Sequence, residues 1–257
     1  MDMGLLNAVV MVTGSSKSIG RAVALAFARE GARVIVTYYR DESGGAETAR
    51  QIASIGGQAF VVALDLGDES SINNAVQQAQ NEWGDVSVLV NNAVQWPGFR
   101  PPDEVFETAP LERFRTSLRA NLEGPYVLTR AVIGGMRAAG WGRVVHVSTG
   151  VVEDGLPGSS AYATAKSGLH GLTRTMSREL ARAGILTNVV MPGFTVSDDI
   201  TRKRPAGMVE KVRNAAAMGR VSTPEDVSSL IVYLGSRANV HVTGELIRAD
   251  GHFITPL

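Results

Sequence analysis

The sequence predicts an α/β fold, a doubly wound parallel sheet of about seven strands in a three-layer α/β/α arrangement, with residues 1–257 forming a single domain. Three observations lead there. Short runs rich in Val, Ile and Leu alternate with longer amphipathic segments, and a strand that returns through a helix can only pair in parallel. The runs are largely apolar, as expected of strands covered on both faces, and none contains a proline. No repeat, low-complexity tract or composition break marks a linker, and 257 residues are enough for one large core.

In chain order the strands are read as Ala8 to Val12, Arg33 to Thr37, Ala59 to Leu64, Val86 to Val90, Gly142 to Val147, Ile185 to Met191 and Leu246 to Ala249. Helices are expected to start near Ser18, Gly45, Glu69, Leu111, Ala161, Gly207 and Pro224, the last capped by Ser222 or Thr223. The least regular stretches, Val94 to Pro110 and Phe194 to Pro205, follow strands and are the substrate-region candidates.

Composition narrows the function. Lys plus Arg equal Asp plus Glu at 25 each, so no net field favours nucleic acid or an anionic membrane, and a small-molecule partner is expected. The absence of cysteine removes disulfides, a thiolate nucleophile and a cysteine zinc site. No metal is expected, and a reducing, cytoplasmic home fits. The N-terminal apolar run lacks a basic flank and is too short to span a bilayer, so it is read as a buried first strand and not a leader or anchor.

The turn Thr13-Gly14-Ser15-Ser16-Lys17-Ser18-Ile19-Gly20 joins the first strand to a helix. Small residues there let backbone N–H groups approach a pyrophosphate, which the helix N-terminus also attracts. Further on, Tyr162 and Lys166 stand four residues apart on one helix face. A nearby cation favours phenolate, and lowering a phenol from its reference pKa of about 10 by about three units takes roughly 4 kcal/mol. An ordinary strand-to-helix turn and a solvated tyrosine–lysine pair are the plain alternatives for either motif alone.

Together these motifs resemble the short-chain dehydrogenase/reductase superfamily, in its 3-oxoacyl-carrier-protein-reductase-like branch, and the resemblance runs nearly end to end. It implies a Rossmann-like fold and hydride transfer between a nicotinamide and a carbonyl or alcohol carbon, with Tyr162 as general acid/base and Lys166 on the ribose. It also implies Asn121 as the asparagine of a kinked helix that holds a relay water. Relatives place the substrate-orienting hydroxyl thirteen residues before the tyrosine, which lands on Thr149, with Ser148 as the fallback. Cofactor contacts are implied for Gly14, Ser16, Lys17, Ser18, Ile19, Gly20, Asp65 with Leu66, Asn91 beside the adenosine ribose, and Ala93. Pro192, Gly193, Thr195 and Ser197 would meet the nicotinamide carboxamide. There are departures. Ser18 stands at the middle glycine of T-G-x-x-x-G-x-G, where right-handed backbone and a phosphate hydrogen bond are expected, and Val94 replaces a glycine that lies at the cofactor edge.

At the end of the second strand an acid would select NAD(H). This chain has Tyr38, Tyr39 and Arg40, with Lys17 in the turn, which puts NADP(H) ahead of NAD(H), although Asp41 and Glu42 weaken the local field. Trp96, Phe99 and Phe106 suggest an apolar substrate wall, and Phe194 is a further candidate. Arg202, Lys203 and Arg204 could steer a carrier-bound acyl group. By resemblance a homotetramer is expected, with a dimer open. A cofactor-binding but inactive regulator is the alternative outside the enzyme class.

Overall fold

A computed structural model describes residues 2–96, 105–196 and 207–252. The strands are β1 (Val9–Val12), β2 (Arg33–Tyr38), β3 (Gln58–Ala63), β4 (Val88–Asn91), β5 (Gly142–Val147), β6 (Ile185–Pro192) and β7 (Leu246–Ala249). All pair in parallel, in the order β3-β2-β1-β4-β5-β6-β7. The winding reverses between β1 and β4, and ligands in such sheets sit beyond the strand C-termini at that reversal. The expected fold class is observed. Several boundaries differ: β3 is Gln58–Ala63, β4 is Val88–Asn91, the second helix starts at Glu42, and β6 runs on to Pro192, where the strand is ending and the missing N–H costs least.

The helices are α1 (Ser18–Arg29), α2 (Glu42–Ser54), α3 (Glu69–Trp83), α4 (Leu111–Leu118), α5 (Gly124–Ala139), α6 (Val151–Asp154), α7 (Ser160–Leu180), α8 (Met208–Ala215) and α9 (Pro224–Leu234). Alternate strand residues point to opposite faces, so one core joins Val10, Val34, Val88 and Val145 to Phe27 and Ile231, and the other joins Met11, Ile35, Leu89 and Val144 to Ile72, Leu128 and Met176. Thr223 caps α9, its hydroxyl accepting from the Asp226 N–H while the Asp226 carboxylate accepts from the Thr223 N–H. Two features lay beyond the periodicity. A π turn at Arg119–Glu123 divides α4 from α5, and the four-residue α6 follows β5.

Candidate active site

The glycine turn is built by side chains from three elements. Gly14 N–H donates to Thr37 Oγ1 at 3.1 Å, Thr37 N–H donates to Ser15 Oγ at 2.9 Å, and the Ala93 N–H donates to Thr13 Oγ1 at 2.8 Å. Arg21 reaches back from α1 to the Ser16 carbonyl and to Thr48 Oγ1. Asn92 donates to the Thr13 carbonyl at 2.8 Å, a role only its position beyond β4 reveals. Gly14 has φ +62°, and a Cβ on Gly20 would lie 2.3 Å from the Gly14 oxygen, so the turn excludes larger residues. No side chain caps α1, which leaves its N-terminus open for an anion. The residues present therefore fit a dinucleotide pyrophosphate. Ser18 corrects the expectation: its φ is +50°, left-handed and not right-handed, because the turn keeps the geometry suited to the glycine it replaces.

Around the adenosine side, Lys17, Tyr39 and Arg40 are exposed, and the Arg40 guanidinium lies over the Tyr39 ring at 4.8 Å. Asp65 Oδ1 accepts from Gly67 N–H at 2.8 Å, a loop cap that leaves the second carboxylate oxygen out of that bond. The Asn91 amide is turned inward, its Nδ2 lying 3.0 Å from Thr129 Oγ1 and 3.1 Å from His146 Nδ1, so its side chain is committed to the core.

The proton-transfer candidates lie beyond the ends of β4 and β5. Tyr162, Lys166 and His170 follow one another a turn apart on α7. Lys166 Nζ donates to the Val147 carbonyl at 2.8 Å, fastening α7 to the end of β5. Asn121, buried in the π turn, accepts from Gln95 N–H at 2.9 Å and donates to the Gln95 carbonyl at 3.0 Å. That pairing sets the next residue, Trp96, edge-on to the Tyr162 ring at 5.0 Å between centroids. Burial pushes the Tyr162 phenol up to about 12 and Lys166 down to about 8. Burial thus works against phenolate at Tyr162, opposite to the direction in which a nearby cation acts.

The two hydroxyl candidates separate. Ser148 Oγ lies 2.8 Å from His170 Nε2, while Thr149 Oγ1 accepts from Val151 N–H at 3.3 Å and, among the described residues, donates its own proton to nothing. Thr195 Oγ1 bonds the Gly193 carbonyl, and a Cβ on Gly193 would meet Asp250, so the chain beyond Pro192 is closely packed. Phe194 packs with Val221 against Val212 and Ala216, anchoring α8, and Phe106 is 80% exposed. Phe99, Ser197, Arg202, Lys203 and Arg204 lie outside the described residues. No helix among the described residues is long and apolar enough to cross a membrane.

A doubly wound sheet with an open, glycine-lined helix N-terminus and a tyrosine–lysine helix at its C-terminal edge defines a nucleotide-dependent oxidoreductase acting on carbonyl or alcohol groups. A family model described as enoyl-(acyl carrier protein) reductase matches residues 14–253. The 3-oxoacyl-[acyl-carrier-protein] reductase of Aquifex aeolicus is 34% identical over 98% of this chain and 99% of its own. A short-chain reductase protein, NovJ, of Streptomyces niveus is 33% identical over 95% of this chain and 93% of its own. In three dimensions, a 7α-hydroxysteroid dehydrogenase complexed with NADH and 7-oxo glycochenodeoxycholic acid superimposes with a TM-score of 0.91 at 25% identity, covering 100% of this chain and 98% of that one. The chain belongs to the short-chain dehydrogenase/reductase superfamily, in the 3-oxoacyl-carrier-protein-reductase-like branch.

Proposed function

We propose that this protein is an NADPH-dependent reductase that converts a carbonyl to an alcohol, with Tyr162 as the proton donor. The observation that carries the reading is that the Thr149 and Tyr162 hydroxyls donate to no described residue, while Ser148 is paired with His170, beside a lysine anchored at the end of β5. The bound nicotinamide supplies the hydride. Gly14 and Gly20 keep the turn narrow enough for the pyrophosphate, and Lys17 and Arg40 answer a 2′-phosphate. Thr149 orients the substrate oxygen through its free O–H, and Tyr162, held neutral by burial, delivers the proton as negative charge develops there. Lys166 binds the ribose and returns the proton toward Asn121. Trp96, 41% exposed against the Tyr162 ring, supplies an apolar wall for the substrate.

The 3-oxoacyl-[acyl-carrier-protein] reductases among the relatives make a carrier-bound 3-oxoacyl thioester the first substrate to try. The same resemblance supports a homotetramer, testable by light scattering. The deciding assay offers NADPH with a panel of ketones and 3-oxoacyl thioesters and follows the nicotinamide absorbance. Turnover abolished by Tyr162→Phe is the expected result. Tight NADPH binding without turnover across the panel would instead leave an inactive, cofactor-sensing protein.

A further inference from the structure

The segment that carries Thr149 is tied to the far edge of the sheet by one arginine. Arg248, on β7, donates from Nη1 to Asp154 Oδ1 at 3.0 Å, from Nη2 to Asp154 Oδ2 at 3.3 Å, and from Nη1 to Glu153 Oε2 at 3.0 Å. Its Nε donates to Asp250 Oδ2 at 2.6 Å. The two-pronged grip on Asp154 fixes orientation as well as distance, which a lysine could not do. The pairs are sheltered, with Asp154 and Asp250 side chains 7% and 4% exposed, so solvent screens them less than a surface bridge. The carboxylates hold the guanidinium pKa above its ordinary value.

Glu153 and Asp154 end α6, the short helix whose first residue, Val151, donates its N–H to Thr149 Oγ1 at 3.3 Å. Between them, Gly150 N–H donates to the Pro192 carbonyl at 3.2 Å, and a Cβ on Gly150 would lie 3.0 Å from Arg248 Nη2. Arg248 therefore lies close to the residue directly after Thr149 while gripping the helix whose first N–H bonds the Thr149 hydroxyl. Among the described residues β7 pairs only with β6, so this side-chain clamp reaches past β6 to the turn after β5.

We infer that Arg248 is a positioning residue for the reaction, a clamp on Asp154 and Glu153 that holds the Thr149 hydroxyl in its working orientation. The inference rests on the reductase reading for Thr149 and concerns no contact with the substrate.

Two variants test it. Arg248→Lys keeps the charge and loses the fork. Asp154→Asn keeps the shape and weakens the grip without stranding three carboxylates around an empty place, as Arg248→Met would. In folded protein without substrate, amide hydrogen exchange over residues 150–155 is expected to quicken in both variants, with the glycine turn unchanged. With a substrate found in the panel, kcat should fall about tenfold or more while the Kd for NADPH stays within about twofold, since a displaced group costs chemistry before binding. The double variant should be no worse than the worse single one, because the pair acts as a unit.

Unchanged exchange and kcat in either folded variant would overturn the clamp, as would a parallel loss of NADPH affinity. If Arg248→Lys fails to fold, Asp154→Asn decides alone. Were the parent protein inactive on every substrate, the reductase reading would fail, while quickened exchange would still register the clamp as structural and remove its catalytic role.

Discussion

The Ser148 hydroxyl lies 2.8 Å from Nε2 of His170, both residues buried, so the serine beside Thr149 is turned into the space between β5 and α7. Thr149, one residue later, has a different partner: its Oγ1 accepts from the Val151 N–H at the start of α6. Thr149→Ala should therefore lower kcat by about 10²-fold or more, as removal of a transition-state donor does. Thr149→Ser should retain most activity, while Ser148→Ala should act mainly on stability, by about 1 kcal/mol for a buried hydrogen bond. Steady-state kinetics and urea unfolding on the three variants separate the roles, and equal kinetic losses at both positions would refute the assignment.

Ser18 holds a left-handed backbone, φ +50°, at the mouth of the glycine turn. Such a residue costs about 1–2 kcal/mol relative to right-handed backbone, and glycine avoids that penalty at some expense in unfolded-chain entropy. Ser18→Gly is expected to raise stability by about 0.5–1 kcal/mol, read as a higher melting temperature without cofactor. A lower melting temperature would mean that the serine makes good its strain.

His146 is fully buried, and its Nδ1 meets the Asn91 amide at 3.1 Å. Burial first, then the Lys166 and His170 charges, pushes its pKa down to about 3. The unfolded chain takes up this proton near pH 6.5 and the folded protein only near 3, so the unfolded state binds more protons in that window. Stability then falls as pH drops. For this group the loss between pH 7 and pH 5 is about 2 kcal/mol. Replacing the imidazole in His146→Asn should remove that part of the acid sensitivity, measured as the change in urea midpoint between the two pH values.

Lys17 and Arg40 are exposed cations flanking the turn and the end of β2. Neutralising either one, in Lys17→Ala or Arg40→Ala, should weaken NADPH binding by about 3–10-fold and leave NADH nearly unchanged. Because both are in solvent, the difference should shrink as salt rises from 0.05 to about 0.5 M. Equal losses for the two cofactors would assign these residues to the shared pyrophosphate and not to the 2′-phosphate.

The sequence by itself determined the sheet, because strands buried on both faces read as runs rich in Val, Ile and Leu and a parallel return must pass through a helix. It also determined the helix face carrying Tyr162 and Lys166, since residues four apart on a helix are neighbours whatever surrounds them. Thr149 was placed by family spacing, but spacing does not reveal which way a strand-end hydroxyl turns; the neighbouring His170 and Val151 N–H decide that. Tertiary structure likewise decided the proton balance. Charge alone argues that Lys166 lowers the Tyr162 phenol, while burial pushes it the other way. The Arg248 clamp joins residues 94 and 95 positions apart, and long-range ion pairs leave no periodic trace in a chain. Ser18 illustrates the same limit locally: its side chain favours right-handed backbone, and the packed turn around Gly14 and Gly20 overrules it.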